Sequence, residues 1–256
     1  MSSNTNGFLN ENELVSYLNN KKFCDLNDNM KSFVSFLFNR KIKENELILS
    51  GKHQKIENKN PKPDIWIKIG KKIKNVSIKI GNGNSVHQES LNGFCMFLKR
   101  IRVPDNIIKN LKLFHFGDTT IDGTGNNRFS NKDTSKIYKN EIEKANVVFN
   151  KKRFLVKIID RLLFSGNFRN PIVVDAEYHG SINNGVWASR KEIIKYMKNS
   201  KFTNSDTIKF ANLTYQPYMR DENRTAKKPK GRYDMQAKWG SMTNCIKTIA
   251  SRRKKK

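Results

Sequence analysis

The sequence predicts an α/β fold in which a central mixed β-sheet is flanked by helices. Residues 29–39 repeat apolar side chains at positions i, i+3, i+4 and i+7, which is the spacing of a helix with one buried face. Residues 64–69 and 74–80 instead alternate apolar and polar side chains, which is the period of a half-buried strand. A length of 256 residues is sufficient for one sizeable hydrophobic core. We therefore expect one domain over residues 1–256.

The first hundred residues predict two helices, two paired strands and a third helix. The first two helices are expected over residues 11–19 and 29–39. Gly70-Lys71-Lys72 supplies turn chemistry between the two strands, so these strands are expected to form a hairpin. Ser85 is expected to be the N-cap of the third helix, which continues to Ile101 with an apolar stripe toward the core.

The rest of the chain continues the alternation of helices and strands. Pro104 is expected to open a helix, and the segment from Asp118 to Asp133 predicts a long loop because it is rich in Gly, Asn and Thr. A further helix is predicted over residues 155–163. The C-terminal third then predicts a strand from Ile172 to Ala176, a helix with a capping box at Ser189 and Glu192, strands from Thr207 to Tyr215 and from Tyr233 to Lys238, and a last helix.

The charge of the chain indicates a polyanionic partner. Fifty Lys and Arg residues stand against 23 Asp and Glu residues, which gives a formal net charge of +27. This excess is far larger than solubility requires, and the phosphate backbone of a nucleic acid would match it. Two alternatives remain: an AT-rich source genome, which would favour Lys codons, and an anionic membrane surface.

Other compositional features exclude several classes of protein. The apolar runs are much shorter than the roughly 20 residues that a membrane-spanning helix needs. The polar first twenty residues do not resemble a signal peptide, so we expect a cytoplasmic location. Cys24, Cys95 and Cys245 are odd in number and widely separated, which argues against a disulfide framework and a zinc module.

The predicted hairpin collects polar side chains on one face. If the isoleucines of both strands point inward, Asp64 shares the opposite face with Ser77 and Lys79. A two-residue turn at Lys71-Lys72 would set Asp64 directly across from Lys79. Glu89, in the first turn of the predicted helix, would return to the same end of the hairpin.

These residue types suit phosphodiester chemistry. Two carboxylates, Asp64 and Glu89, together with a strand carbonyl would form an oxygen-rich site for a hard cation such as Mg²⁺. Lys79 would orient a water molecule, help to deprotonate it, and stabilise charge on the phosphate. The same geometry equally fits an ordinary cross-strand ion pair and an acidic residue at a helix start. The residues alone leave both interpretations open.

The two strands of the hairpin also resemble a known motif. Pro63-Asp64 on one strand and Ser77-Ile78-Lys79 on the next resemble the PD-(D/E)xK motif of restriction endonucleases, except that Ser77 stands where a second acidic residue is usual. Some members of that family carry Ser-x-Lys and take the missing carboxylate from the next helix, which here would be Glu89. The resemblance implies a metal site formed by Asp64, Glu89 and the carbonyl of Ile78, with Lys79 as the catalytic lysine.

The C-terminal third resembles the same enzymes more loosely, around Thr214-Tyr215-Gln216-Pro217 and the strand that contains Gln236. Basic side chains there would contact phosphates, and Gln236, Asn212 and Arg232 would contact base edges. The residues that we expect to bind DNA are Arg190, Asn212, Arg220, Lys228, Arg232, Gln236 and Lys238.

The resemblance implies a restriction-endonuclease-like α/β fold and a Mg²⁺-dependent type II endonuclease that cuts double-stranded DNA at specific sites. Residues 1–50 would form a helical N-terminal part, residues 60–101 the catalytic hairpin and helix, and residues 170–256 the DNA-recognition part. Cutting both strands of a palindrome suits a homodimer, although monomeric enzymes of this kind exist. The alternatives are a non-catalytic basic protein that binds nucleic acid, and a non-specific or repair nuclease.

Overall fold

The computed structural model describes residues 3–56, 60–81, 85–125, 128–200, 205–218 and 229–254. The chain divides into two compact units. Unit 1 consists of Met1–Asn84, Leu163–Tyr196 and Ser241–Lys256, and unit 2 consists of Ser85–Leu162 and Met197–Gly240.

The described part of the chain contains both helices and strands, and two of its helices, Asn131–Ile137 and Lys139–Phe149, were not predicted. The helices are α1 (Ser3–Leu18), α2 (Asp28–Phe38), α3 (Leu91–Arg100), α4 (Asp105–Phe116), α5 (Asn131–Ile137), α6 (Lys139–Phe149), α7 (Lys152–Ile159), α8 (Arg190–Lys198) and α9 (Met242–Lys254), with a π-helix at Asp160–Ser165 and 3-10 helices at Phe23–Asp25 and Pro229–Tyr233. The strands are β1 (Lys21–Lys22), β2 (Leu47–Gly51), β3 (Ile65–Ile69), β4 (Lys72–Lys79), β5 (Ser85–Ser90), β6 (Ala176–Gly180), β7 (Gly185–Ser189), β8 (Lys209–Phe210), β9 (Leu213–Pro217) and β10 (Asp234–Lys238).

Unit 1 contains a six-stranded mixed sheet in the order β1-β2-β3-β4-β6-β7. Strands β4 and β6 are parallel, and the other neighbours are antiparallel. Apolar side chains of α1 and α2, such as Leu14 and Phe33, join the isoleucines of β3 in one buried cluster. Each fully buried isoleucine contributes about 1.5–3 kcal/mol relative to an exposed one. The predicted fold class, a mixed sheet flanked by helices, is confirmed.

The hairpin of β3 and β4 has the predicted faces but a different register. Its turn is Gly70-Lys71, so Ile69 pairs with Lys72 and Ile65 pairs with Val76. Gly70 has φ +58, a conformation that glycine adopts without the steric strain of a side chain. The prediction placed the turn one residue later, which shifted every pair by two positions. Because the shift is even, the same side chains still share a face.

The predicted helix from Ser85 is wrong at its start. Residues Ser85–Ser90 form strand β5, which pairs antiparallel with β10, and α3 begins only at Leu91. The actual N-cap is Ser90, whose hydroxyl accepts a hydrogen bond from the Gly93 N–H at 3.1 Å. Glu89 is therefore a strand residue rather than a helix residue.

Smaller differences occur elsewhere. The strand expected from Ile172 to Ala176 lies later, at Ala176–Gly180. The single strand expected from Thr207 to Tyr215 is the β8–β9 hairpin, with Ala211 at φ 52 in its turn. The capping box is confirmed: Ser189 N–H donates to Glu192 at 2.9 Å, and Glu192 N–H donates to the Ser189 hydroxyl at 3.3 Å.

Unit 2 contains a four-stranded antiparallel sheet in the order β5-β10-β9-β8. Its core includes an aromatic cluster in which the rings of Phe94 and Phe149 lie within 6 Å of Phe210. Among the described residues, no helix is both long and apolar enough to traverse a bilayer.

Candidate active site

Asp64 lies just before β3 and is held by the end of β4. Its Oδ2 accepts hydrogen bonds from the Ser77 hydroxyl at 3.1 Å, the Ile78 N–H at 2.6 Å and the Lys79 ammonium at 3.0 Å. Its own N–H donates to the carbonyl of Val76 at 2.9 Å, which extends the hairpin ladder by one step. The sequence-based expectation that Asp64 and Lys79 meet is therefore confirmed, although Ser77, not Lys79, stands next in the ladder.

Lys79 makes three close contacts with oxygen atoms. Besides Asp64 Oδ2, its Nζ lies 3.0 Å from Ser77 Oγ and 2.8 Å from the carbonyl oxygen of Ile78. Burial alone would lower the pKa of Lys79, but the negative charges of Asp64 and Glu177 outweigh it and raise the pKa. Lys79 is consequently a cation at neutral pH in this arrangement.

Glu177 is an acidic residue of the site that the sequence analysis missed. Strand β6 runs parallel to β4 in a register that places Glu177 beside Ser77 and His179 beside Lys79. Glu177 is only 1% exposed, and no hydrogen-bond partner within the described residues reaches its Oε2. Burial raises the pKa of Glu177 to about 7, against the lowering effect of the Lys79 and Lys62 charges. A buried carboxylate oxygen without a partner is costly, which suggests a ligand that the protein itself does not supply.

Glu11 on α1 is a second acidic residue that the sequence did not reveal. Its carboxylate is paired with Lys52 at 2.9 Å. Burial raises the pKa of Glu11, and the charge of Asp64 raises it further, while Lys52 and Lys79 lower it. Three acidic residues of unit 1 thus share the electrostatic field around Lys79.

Glu89, the third expected member of the site, has its carboxylate engaged inside unit 2. On β5 it occupies the buried face, and its backbone pairs with Met235. Arg161 binds both carboxylate oxygens, at 2.8 and 2.5 Å, and His87 Nε2 lies 2.9 Å from Oε1. Burial alone would raise the pKa of Glu89, but the hydrogen bonds from His87 and Arg161 outweigh it and lower the pKa. We therefore assign to Glu89 the role of a buried counter-ion to Arg161.

The residues around Asp64 fit a hard divalent cation. Asp64 Oδ2 and the carbonyl of Ile78 already lie within 3.0 Å of one cation, the Lys79 ammonium. The uncompensated Oε2 of Glu177 offers a second carboxylate nearby. In the described ranges, no group of three or more His, Cys, Asp or Glu side chains forms a metal cage by itself. Mg²⁺ does not need one, because it typically takes one or two carboxylates and completes its shell with water and substrate oxygens.

Of the residues expected to bind DNA, two lie outside the described residues and two have side chains that are engaged within unit 2. Arg220 and Lys228 lie outside the described residues. Arg232 forms an ion pair with Asp118, whose side chain is only 1% exposed. Arg232 was expected to contact DNA, but in the structure its charge is paired inside unit 2. Asn212 accepts a hydrogen bond from the Ser200 hydroxyl at 3.1 Å.

Three further nominees are partly exposed. Arg190, the first residue of α8, lines a cavity of about 710 Å³ in unit 1. Gln236 and Lys238 lie on the face of β10 that is opposite the buried Met235 and Ala237. These two side chains belong to the outer face of the four-stranded sheet.

A faint signal in the sequence could have identified Glu177. In the segment Ala176-Glu177-Tyr178, an acidic side chain stands between a small one and an aromatic one. A strand there would either bury Glu177 or place it in a functional site. The expected strand ended at Ala176 and excluded it. For Glu11, an ordinary helix position, no local signal exists.

Removing the charge of Glu89 should lower stability. In Glu89→Gln, the buried guanidinium of Arg161 loses its counter-ion, so we expect the free energy of unfolding in urea to fall by about 3 kcal/mol. Gln88→Ala, on the exposed face of the same strand, is the control and should change stability by less than about 0.5 kcal/mol. A Glu89→Gln protein of unchanged stability and weakened Mg²⁺ binding would instead restore Glu89 as a metal ligand.

Glu177 should make the metal-free protein less stable as the pH rises. Its pKa is raised from 4.5 to about 7 in the folded state, so the folded protein holds a proton that the unfolded chain releases between these values. Stability contributed by this group is therefore present below about pH 4.5 and lost by about pH 7. The loss should be roughly 3 kcal/mol. Urea unfolding in EDTA at several pH values measures it, and Glu177→Gln should flatten the profile and stabilise the protein at about pH 8. An equally steep profile for Glu177→Gln would disprove this assignment.

Comparisons with known proteins agree with this architecture. No protein-family model matches the sequence, and no curated protein matches it. The structure is similar to a crystal structure of the restriction endonuclease MspI in complex with its cognate DNA, with a TM-score of 0.54. The match covers 92% of this chain and 90% of that chain at 10% sequence identity. The chain therefore has a restriction-endonuclease-like α/β fold.

Proposed function

We propose that this protein is a Mg²⁺-dependent endonuclease of the PD-(D/E)xK type that cuts double-stranded DNA at specific sites. The observation that carries the proposal is the convergence of Asp64, the Ile78 carbonyl and Lys79 beside Glu177, whose buried Oε2 has no partner among the described residues. The restriction-endonuclease-like fold and the net charge of +27 support it.

Asp64, Glu177 and the carbonyl of Ile78 would hold the cation. When bound, a divalent cation polarises the phosphodiester and makes a nearby water molecule more acidic. Lys79 would orient the attacking water and stabilise the charge that builds on the phosphate. Ser77 would position Asp64 through its hydrogen bond, and so take no direct part in the reaction.

A plasmid assay tests this proposal. We expect the wild type with Mg²⁺ to produce discrete fragments and to be inactive in EDTA. Asp64→Asn, Lys79→Ala and Glu177→Gln should each lower the rate by about 10²–10⁴-fold, because each removes a ligand or the charge that acts on the phosphate. Glu89→Gln, assayed where it is folded, should retain activity.

Other outcomes of the same assay separate the alternatives. A smear that disappears in Asp64→Asn would indicate a non-specific nuclease. DNA that is bound by the wild type but never cut would favour a non-catalytic nucleic-acid-binding protein. Activity that survives in both Asp64→Asn and Lys79→Ala would refute the proposed site.

The outer face of the unit 2 sheet is our proposal for base recognition. Gln236 pairs with Gln88 on one side and with Gln216 on the other, so three amide side chains form a row across three strands. Lys238, beside Thr214 in the next row, adds a positive charge. Amide side chains donate and accept hydrogen bonds at base edges.

Gln236→Ala should relax sequence preference. A contact to a base edge contributes about 1–3 kcal/mol of discrimination, so we expect the ratio of cleavage rates between the cognate site and a singly altered site to fall by about 5–150-fold at one position. Lys247→Ala, which removes an exposed cation of α9, is the control and should affect all sequences alike. Equal losses at every site for Gln236→Ala would contradict a role in base recognition.

A further inference from the structure

The contacts of Lys79 fill its whole hydrogen-bonding capacity. An ammonium group has three donors and no acceptor. Within the described residues, its three partners are Asp64 Oδ2, Ser77 Oγ and the carbonyl oxygen of Ile78, at 2.8–3.0 Å. In this arrangement no donor is left for a phosphate oxygen or for an attacking water molecule. Lys79 must therefore leave at least one of these oxygens before it can act in catalysis.

The same oxygens are the ones that a metal would use. Asp64 Oδ2 and the Ile78 carbonyl are the proposed ligands, and Mg²⁺ holds its ligands at about 2.0–2.1 Å. An ammonium at 2.8–3.0 Å from these atoms lies in the space that the metal and its water molecules would need. The two cations consequently exclude each other from this position.

We propose that the Lys79 ammonium is the resident cation of this site, which holds the metal-binding oxygens together in the metal-free protein and is displaced when Mg²⁺ binds. This inference rests on the proposed function, since it concerns the same metal site. It gives Lys79 a second role: besides acting on the phosphate, its ammonium occupies the position of the metal until the metal binds.

Charge balance explains why the exchange would occur. Without metal, the acids Asp64 and Glu177 face the positive charge of Lys79, and Lys62 also acts on Glu177. A divalent cation alone balances these two carboxylates once both are ionised, so the net attraction that held the ammonium is lost. Because Glu11 is already paired with Lys52, the substrate phosphate would be the remaining negative group toward which a displaced Lys79 would turn.

Titration of Mg²⁺ into DNA-free protein by calorimetry tests the exchange. Lys79→Met keeps an unbranched side chain that is one heavy atom shorter and has no charge, so it should bind Mg²⁺ between about fivefold and 150-fold more tightly than the wild type. Lys62→Met is the matched control, because it removes a positive charge that also acts on Glu177 but leaves the three contacts of Lys79 in place. Its effect on Mg²⁺ affinity should be much smaller. Glu177→Gln should bind Mg²⁺ more weakly than the wild type.

Each outcome has one meaning. If Lys79→Met binds Mg²⁺ no more tightly than the wild type, or if Lys62→Met gains as much, the exchange is refuted while the metal site stands. If the wild type, Lys79→Met and Lys62→Met all fail to bind Mg²⁺, the proposed metal site itself is wrong and the exchange falls with it.

A measurement on the wild type covers the case in which Lys79→Met does not fold. In EDTA the Lys79 amine is engaged by three oxygens, so an amine-acylating reagent followed by mass spectrometry should label it slowly. Addition of Mg²⁺ should increase its labelling rate several-fold relative to the other lysines. Unchanged or slower labelling of Lys79 in Mg²⁺ would overturn the inference.

Discussion

The hydrogen bonds that converge on Oδ2 of Asp64 hold the candidate site together. They come from the Ser77 hydroxyl, the Ile78 N–H and the Lys79 ammonium, and they join the beginning of β3 to the end of β4. The register of the hairpin and the geometry of the site are therefore one constraint. A slip of one residue would turn Ser77 and Lys79 to the opposite face of the sheet, where the isoleucine core lies.

The face that each side chain of the hairpin occupies was predictable from the sequence, but the pairing register of the two strands was not. The alternation of isoleucines determines which face each side chain occupies. The predicted faces were therefore correct even though the predicted pairs were wrong by two positions. Lys79 still reaches Asp64 because its side chain is long enough to cover one extra step. The position of Glu177 beside Ser77 could not be predicted in this way. The parallel pairing of β4 with β6 joins residues about one hundred positions apart, and no local pattern encodes that pairing.

Glu89 shows how local signals can favour the wrong element. Ser85 as an N-cap and Glu89 in a first turn are both typical of a helix start. Pairing of Ser85–Ser90 with β10 outweighed these weak preferences and buried Glu89 against Arg161. Arg232 was misjudged for a related reason: its charge is matched by Asp118, a loop residue more than one hundred positions away. Such a long-range charge pair is not visible in the local sequence around Arg232.

The serine at position 77 becomes understandable once β6 is considered. Neighbouring strands lie about 4.7–4.9 Å apart, so in the proposed metal site a glutamate on β6 opposite Ser77 would be within reach of a cation held by Asp64. Ser77 then lies beside both acids: its one hydroxyl hydrogen is donated to Asp64, and its strand position pairs with that of Glu177. This arrangement lowers the stability of the fold, because the buried Oε2 of Glu177 has no hydrogen-bond partner among the described residues. A buried carboxylate oxygen without a partner lowers the stability of the fold unless a ligand binds it. This is the strongest physical reason to regard the cluster as a functional site rather than as an ion pair that only stabilises the sheet.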